Sequence, residues 1–321
     1  MMVLGFGALN LDFIYEVEDL SFLKCKGLNI EPGSEIVLDE QSFPKFFEKI
    51  TRFGVLRKVC PGGSAANTCH MLSLMGVSTC IFGILGLDKE GDYYISKLVP
   101  NSESIIIRRG KTGVTYILNE KNKSPFGSDR AIILFPNSNS EIKKDDLDMK
   151  KISSCSWIHM SSFVTESAIQ AQIYVKEALK GRIGFSLDPG EIYASMGEIV
   201  LKLLQGIDIL FCSEKELCNL FGSDLQSSLA DALKLVKMVI LKRGREGASF
   251  YTEKKVYHVK SEKIKATDTT GAGDVLNGVF LGLFLKGYDP FFALEKAVFA
   301  ASESIKGYGR DNYPRYLGEE V

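Results

Sequence analysis

Asp268-Thr-Thr-Gly-Ala-Gly-Asp274 and the run that follows it, Val275-Leu-Asn-Gly-Val-Phe-Leu-Gly-Leu-Phe-Leu285, decide how this chain is read. Small residues at Gly271, Ala272 and Gly273 let the backbone turn tightly into a helix. The first turn of a helix presents N–H groups without intrahelical partners at the positive end of its dipole, so the ligand this turn predicts is a phosphate or another oxyanion. Asp274 falls in that first turn, where a carboxylate can cap the helix and face whatever the loop holds. Taken alone, the segment reads equally as a glycine turn with an N-capping Asp. The run to Leu285 is apolar on all sides, which predicts a buried helix whose Gly278 and Gly282 permit close packing.

Outward from this segment, short apolar runs alternate with segments of helical period. Met2 to Ala8 reads as a buried strand, Ser64 to Met75 as a helix closed by Gly76, and Val77 to Leu85 as the next strand. After Ser161 the pattern predicts helices near Glu166–Leu179, near Glu191–Leu204 and from Ser213, with strands at Ile183–Leu187, Ile207–Phe211 and Met238–Leu241. Such βαβ repetition predicts an α/β fold with a mostly parallel sheet and helices on both faces. Two stretches, near 13–57 and 105–135, break the rhythm with short alternating segments such as Ser104–Arg108 and Thr112–Leu118 and turn formers at Lys121–Asp129. They predict a small antiparallel β lid assembled from non-contiguous pieces of a single domain spanning 1–321.

Composition narrows the function. The chain has 321 residues, 45% hydrophobic and 25% charged, which excludes disorder, collagen and coiled coil. A net charge of −1 supplies no positive field for nucleic acid or an anionic membrane, so an anionic ligand needs a local site. Seven cysteines, none in a C-x-x-C pair, fit a reducing compartment. The N-terminus lacks the basic region of a signal peptide, and Val275–Leu285 falls short of the ~18 apolar residues of a membrane span. The expectation is a soluble, cytoplasmic protein.

Two further segments pair glycines with polar residues. Pro61-Gly-Gly-Ser-Ala-Ala-Asn67 joins a glycine turn to a helix; Gly62 and Gly63 allow close backbone approach to a ligand, and Asn67 offers a donor and an acceptor to hydroxyl groups. A simple helix start at Ser64 is the plainer reading. The closing glycine of a G-x-S-x-G nucleophile elbow is missing, which argues against a serine hydrolase. Gly5-Phe-Gly-Ala-Leu-Asn-Leu-Asp12 has two glycines after a strand, but Asn10 stands where a dinucleotide fingerprint needs its third glycine, and no helix follows. Asn10 and Asp12, one residue apart on extended backbone, point to the same side and can grip vicinal hydroxyls.

In this order and spacing the three segments resemble the ribokinase family of carbohydrate and nucleoside kinases, also called the phosphofructokinase B family, over nearly the whole chain. The resemblance implies a large doubly wound α/β domain with a β lid. It implies that Gly271, Ala272 and Gly273 form the anion hole for the transferred phosphoryl group and that Asp274 is the catalytic base. By the same resemblance, Asn10, Asp12, Gly62, Gly63 and Asn67 bind substrate hydroxyls. Ile240-Leu-Lys-Arg-Gly244-Arg-Glu-Gly247 looks like the strand and glycine turn that border ATP. Ser213-Glu-Lys-Glu216 falls where the family has N-x-x-E, implying that Glu216 organises Mg²⁺ through water, with Ser213 replacing the Asn. Asp268 and Thr270 match a monovalent-cation site of several members, which adds K⁺ as an optional ion.

The function this implies is ATP-dependent phosphorylation of a hydroxymethyl group on a small polyol, sugar or sugar derivative. His159-Met-Ser-Ser162 stands where sugar kinases often carry an acidic residue, while Gly27–Glu40 and the helix-like Phe43–Phe53 look more like adenosine kinases, so a nucleoside kinase is the alternative. A catalytically silent sugar-binding regulatory protein on the same fold is a third reading. His70, His159 and His258 lack metal-ligand spacing and read as packing or surface residues, although the strand of His159 should end near the substrate mouth. Unpaired lid edges point to a homodimer through the lid.

Overall fold

Met2–Phe6 (β1) is apolar at successive positions, as a strand buried on both faces must be. In this computed structural model, which describes residues 1–20, 33–98, 103–121 and 130–315, β1 lies deep inside a nine-stranded sheet. The remaining strands in chain order are Asn10–Val17 (β2), Glu35–Val37 (β3), Gly54–Pro61 (β4), Ser78–Leu85 (β5), Glu103–Arg108 (β6), Gly113–Glu120 (β7) and Arg130–Phe135 (β8). Trp157–Ser161 (β9), Gly184–Asp188 (β10), Ile209–Ser213 (β11), Met238–Lys242 (β12), Ala248–Tyr251 (β13) and Val256–Val259 (β14) follow. The large sheet runs β14-β13-β12-β11-β10-β9-β1-β5-β6, parallel from β12 to β6, with β13 and β14 added antiparallel. From β1 the chain winds one way through β5 and β6 and the other way from β9 outward, so the winding reverses beside β1.

Alternate residues of the strands feed two cores. Leu4, Phe6, Ile158 and Met160 pack under the helices Glu166–Leu179, Glu198–Leu204 and Glu214–Phe221. Val3 and Trp157 face the helices Ser64–Leu74, Ala272–Leu285 and Pro290–Ser304. The helix expected over Glu191–Leu204 is two, Gly190–Ala194 and Glu198–Leu204, separated around Gly197, whose positive φ of 66° interrupts it.

The rhythm-breaking segments build a second sheet, β3-β8-β7-β2-β4. It is antiparallel between β2 and β4 and between β7 and β8, and parallel where β2 meets β7 and β3 meets β8. Phe43–Phe53 is a helix on this sheet, where Phe46 and Ile50 meet Tyr116, Ile133 and Phe135 in a core of its own. Ser104–Arg108, expected in the lid, belongs instead to β6 and pairs with β5 at the end of the large sheet. Its three consecutive isoleucines suit two buried faces better than the one buried face of a lid strand. The turn formers after Lys121 and the first part of Gly27–Glu40 lie outside the described residues.

The helices Ser64–Leu74 and Ala272–Leu285 touch closely. A Cβ on Gly278 would stand 2.7 Å from Met71 Cβ and 3.0 Å from the Thr68 carbonyl oxygen, and one on Gly282 would stand 3.0 Å from the Met75 methyl carbon. Gly278→Val is therefore expected to destabilise the fold by about 1–3 kcal/mol, the cost of overpacking a filled interface. Urea unfolding checks this as a lower midpoint at unchanged m value.

Candidate active site

Neighbouring strands of the parallel sheet end in polar residues: Asp188 closes β10, Ser213 closes β11 and Lys242 closes β12. This carboxyl edge is where open α/β sheets bind ligands. Lys242 Nζ lies 2.6 Å from Asp188 Oδ2, and Asn277 Nδ2 donates to the same oxygen at 2.6 Å. Burial works to raise the Asp188 carboxyl, yet the Lys242 ammonium holds it below its usual range. Burial also opposes the charge on Lys242, but Asp188 and Glu216 hold its ammonium above the ordinary value.

Asp274 lies in the first turn of the Ala272–Leu285 helix, but it does not cap it. The N-cap is Gly271, left-handed at φ 76°, and no side chain caps this end. A carboxylate at the third helical position caps only by reaching back to the N-cap N–H, and here it turns to the neighbouring helix instead. Ser64 Oγ donates to Asp274 Oδ1 and Asn67 Nδ2 to Asp274 Oδ2, each at 2.7 Å. Burial, reinforced by repulsion from Asp188, pushes the Asp274 carboxyl up to about 6 against these two bonds. Ala272 N donates to the Thr269 carbonyl oxygen at 3.4 Å, a long bond, while the first-turn N–H of Gly273 faces the start of the helix, where an anion can accept it.

On one side of Asp274 are the residues expected to bind hydroxyls. Asn10 and Asp12 are buried alternate residues of β2. Asn139 Nδ2 donates to Asn10 Oδ1 at 2.9 Å. Burial, opposed by Arg310 and by the Thr115 hydrogen bond, pushes the Asp12 carboxyl up to about 7. The paired glycines admit the chain's own atoms: a Cβ on Gly62 would lie 2.1 Å from the Asp12 carboxylate oxygens. Gly63 has a φ of 92°, and a Cβ there would meet the Ala8 carbonyl oxygen. The close approach read from the sequence is thus filled by β2 and the turn before it.

On the other side a cavity of about 1290 Å³ is lined by Lys242, Gly244, Gly247, Ala272 and Gly273, and by apolar Leu276 and Val298. Ser213 and Glu216 are not among its described lining residues. Their spacing has a local cause: Glu216 N donates to Ser213 Oγ at 3.2 Å and Ser213 N to Glu216 Oε2 at 2.8 Å, a reciprocal capping box. Burial raises the Glu216 carboxyl while Lys242 lowers it. Asp268 is buried among N–H donors: Thr270 N and Asn119 Nδ2 reach Oδ1 at 3.0 and 3.3 Å, and Gly309 N reaches Oδ2 at 3.3 Å. Thr270 Oγ1 is buried without a hydrogen-bond partner. An anionic oxygen beside an unused hydroxyl is a donor set that suits a hard monovalent cation.

His159 does not reach a substrate mouth. It is fully buried, its Nδ1 is 2.9 Å from Ser186 Oγ, its ring packs edge-on to Phe211, and burial drives it down to about 4, a neutral packing residue. Sequence reasoning passed over Asp188, Lys242, Asn277, Ser64 and Arg310. Lys242 carried a signal, a lone cation ending the apolar run Met238–Leu241. Arg310, whose Nε donates to Asn67 Oδ1 at 2.5 Å, carried none.

A glycine turn opening a helix beside a buried carboxylate, at the carboxyl edge of a doubly wound sheet, is an arrangement that suits phosphoryl transfer. The sequence profile described as pfkB family carbohydrate kinase matches residues 57–314, and the chain belongs to that family. It is a sugar or nucleoside kinase with a hydroxyl group as acceptor. It is 28% identical over 250 residues to a protein described as an uncharacterized sugar kinase from Archaeoglobus fulgidus, covering 76% of this chain and 98% of the other. An adenosine kinase structure from Sinorhizobium meliloti superposes with a TM-score of 0.83 at 19% identity, covering 95% and 94% of the two chains. A ribokinase of Arabidopsis thaliana, complexed with ribose and ATP, superposes with a TM-score of 0.68 at 23% identity, covering 96% and 93%. Among the described residues, no helix is long and apolar enough to cross a membrane.

Removing one member of a buried ion pair leaves the other charge uncompensated. Lys242→Met is expected to destabilise the protein at pH 7 by about 3 kcal/mol, because Asp188 keeps only neutral partners, the Asn277 amide and a long bond from Gly190 N. With its cation gone, the Asp188 carboxyl rises in the folded mutant, so the deficit shrinks as pH falls and the acid protonates. Urea unfolding at pH 7 and 4.5 checks both statements; an equal deficit at the two pH values would contradict them.

Proposed function

We propose that this chain transfers the γ-phosphoryl group of ATP to a hydroxymethyl group of a small sugar or sugar derivative, with Asp274 as general base. One observation carries the reading: Asp274 is a buried carboxylate set between a cavity large enough for a nucleotide and the polar shelf of Asn10, Asp12, Gly62 and Asn67. A carboxylate raised to about 6 is ionised at neutral pH, yet more basic than an ordinary Asp, which suits proton abstraction. In this reading Asp12 and Asn10 hold substrate hydroxyls, and the acceptor hydroxyl gives its proton to Asp274. The N–H groups at Gly271, Ala272 and Gly273 and the Lys242 ammonium stabilise charge on the phosphoryl oxygens.

Gly244 and Gly247, which line the cavity, would border ATP there. Mg²⁺ is generally held by one or two carboxylates together with phosphates. Glu216, whose capping box uses only Oε2, is the carboxylate we assign to it. When bound, the ion neutralises phosphate charge. Asp268 and Thr270 would hold K⁺. The five-stranded sheet serves as a lid, joined to the Asp268–Asp274 loop by Arg130 Nη1 donating to Thr269 Oγ1 at 2.9 Å and by the Asn119–Asp268 bond. β4, at the end of that sheet, exposes Val55 and Leu56, and we assign this edge to a homodimer contact in a cytoplasmic enzyme. The Phe43–Phe53 helix over the lid supports a nucleoside acceptor as the second reading. ADP release across sugars, sugar acids and nucleosides separates the two.

Asp274→Asn is expected to keep the fold and lower kcat by about 10²–10⁴, the range for losing a positioned base. In the wild type, kcat/KM should fall with unit slope below pH about 6, because the base must be ionised in the free enzyme. Turnover of the mutant near the wild-type rate would sink the assignment.

A further inference from the structure

The last helix, Pro290–Ser304, is followed by a short 3₁₀ turn, Gly309–Asn312, from which Arg310 reaches back into the protein. Its side chain is buried, with the guanidinium carbon 6.0 Å from the centre of the Tyr94 ring. Nε donates to Asn67 Oδ1 at 2.5 Å and Nη2 to the Gly62 carbonyl oxygen at 3.3 Å, while Tyr94 Oη donates to that same carbonyl at 2.9 Å. Among the described residues no carboxylate lies within ion-pair distance of it. A buried guanidinium held chiefly by neutral acceptors is costly, so the interest lies in what it does to those acceptors.

A guanidinium can only donate hydrogen bonds, and a carboxylate can only accept them. The Asn67 amide stands between one of each. Its oxygen must face Arg310, and its NH₂ group must then face Asp274 Oδ2, 2.7 Å away. A flipped amide would set donor against donor on one side and acceptor against acceptor on the other. The orientation is therefore fixed by chemistry and needs no choice between nearly identical atoms. The other Asp274 oxygen, Oδ1, meets the Ser64 hydroxyl, which can rotate and turn from donor into acceptor. One oxygen of the base is clamped and the other is free to take a proton.

We infer that Arg310 is a positioning residue for the base: by orienting the Asn67 amide it keeps an N–H on Asp274 Oδ2 and directs the incoming proton to Oδ1. The inference rests on the reading of Asp274 as general base, and it adds a residue that never touches the reacting atoms. The proton balance is simple. The acceptor O–H bond breaks, an O–H bond forms at Asp274 Oδ1, and Asn67 keeps both of its protons throughout.

The test replaces the clamp without its bulk, as Arg310→Met, beside Arg310→Lys, Asn67→Ala, the double variant and Asp274→Asn. The groups facing Asp274 besides Ser64, Asn67 and Arg310 are Asp188 from β10, Lys242 from β12, Asp12 from β2 and Tyr313 after the 3₁₀ turn, and all of them stay in place. With the amide free to turn, the carboxylate loses its steady N–H donor. The acid limb of kcat/KM in Arg310→Met should then move up by about half to one pH unit, since a hydrogen bond to the charged form is what lowers a carboxyl pKa. Arg310→Lys, which keeps one donor, should recover most of the shift. In the Asn67→Ala background, Arg310→Met should move the limb no further. Titration of the Asp274 carboxyl carbon by NMR in the unliganded protein, assigned by its absence from Asp274→Asn, reports the same shift without activity. An unmoved limb and titration in Arg310→Met, with only lower thermal stability, would overturn the inference. If Arg310→Met does not fold, an Asp274 titration in Asn67→Ala equal to the wild type would overturn it. Full activity of Asp274→Asn would instead remove the base assignment, and the carbon titration would still test the clamp.

Discussion

The close approach of two helices is the constraint on which the site depends. Ser64–Leu74 and Ala272–Leu285 each follow a glycine turn, and each brings polar residues in its first turns to the carboxyl edge of the sheet. Gly278 and Gly282 let their backbones meet, and this sets Asn67 and Ser64 within hydrogen-bond reach of Asp274 across more than two hundred residues of sequence. Were these glycines larger, the buried carboxylate would lose the two donors that offset its burial. The apolar character of the Ala272–Leu285 helix, odd for a helix with a polar start, follows from being enclosed by the sheet and both neighbouring helices.

Electrostatics at the sheet edge follow the same economy. Five acidic or basic groups, Asp12, Asp188, Glu216, Lys242 and Asp274, act on one another in largely buried surroundings. Their shifts point in different directions because their partners differ. Asp188 has an ammonium and an amide on one oxygen and stays ionised, whereas Asp12 and Asp274 have only hydrogen bonds and more distant cations, so burial prevails. Strand ends thus supply a charged pair, Asp188 with Lys242, while the start of the Ala272–Leu285 helix supplies a carboxylate poised near neutrality.

The small sheet has its own aromatic core under the Phe43–Phe53 helix, and it meets the large domain through polar contacts such as Arg130–Thr269 and Asn119–Asp268 and through a small apolar cluster of Ile14, Cys60 and Ile117 with Tyr308. An element with an internal core and only a small apolar contact in its seam can shift as a unit at lower cost than one sharing the main core. The same loop, Asp268–Asp274, therefore lines the cavity and touches the small sheet.

Much of this was legible in the sequence because it is carried by local spacing. Glycine turns before helical periods, alternating apolar runs and the order of three short motifs placed the parallel sheet, the interrupting segments and the residues Asn10, Asp12, Asn67 and Asp274. Local spacing also misled. Ser104–Arg108 alternates well enough to pass as a lid strand, and only pairing with β5 assigned it to the main sheet. Asp274 stands where a cap would stand, and only the neighbouring helix drew it away. Asp188, Asn277 and Arg310 gave no pattern, and the lone cation Lys242 gave none that names its partner, because each acts through a residue tens to hundreds of positions distant. The sequence by itself determined which segments become helices and strands, since that choice is made over a few neighbouring residues. The tertiary structure alone decided which buried charges would be paired, since hydrogen bonds and ion pairs form between whatever the fold brings within about 3 Å.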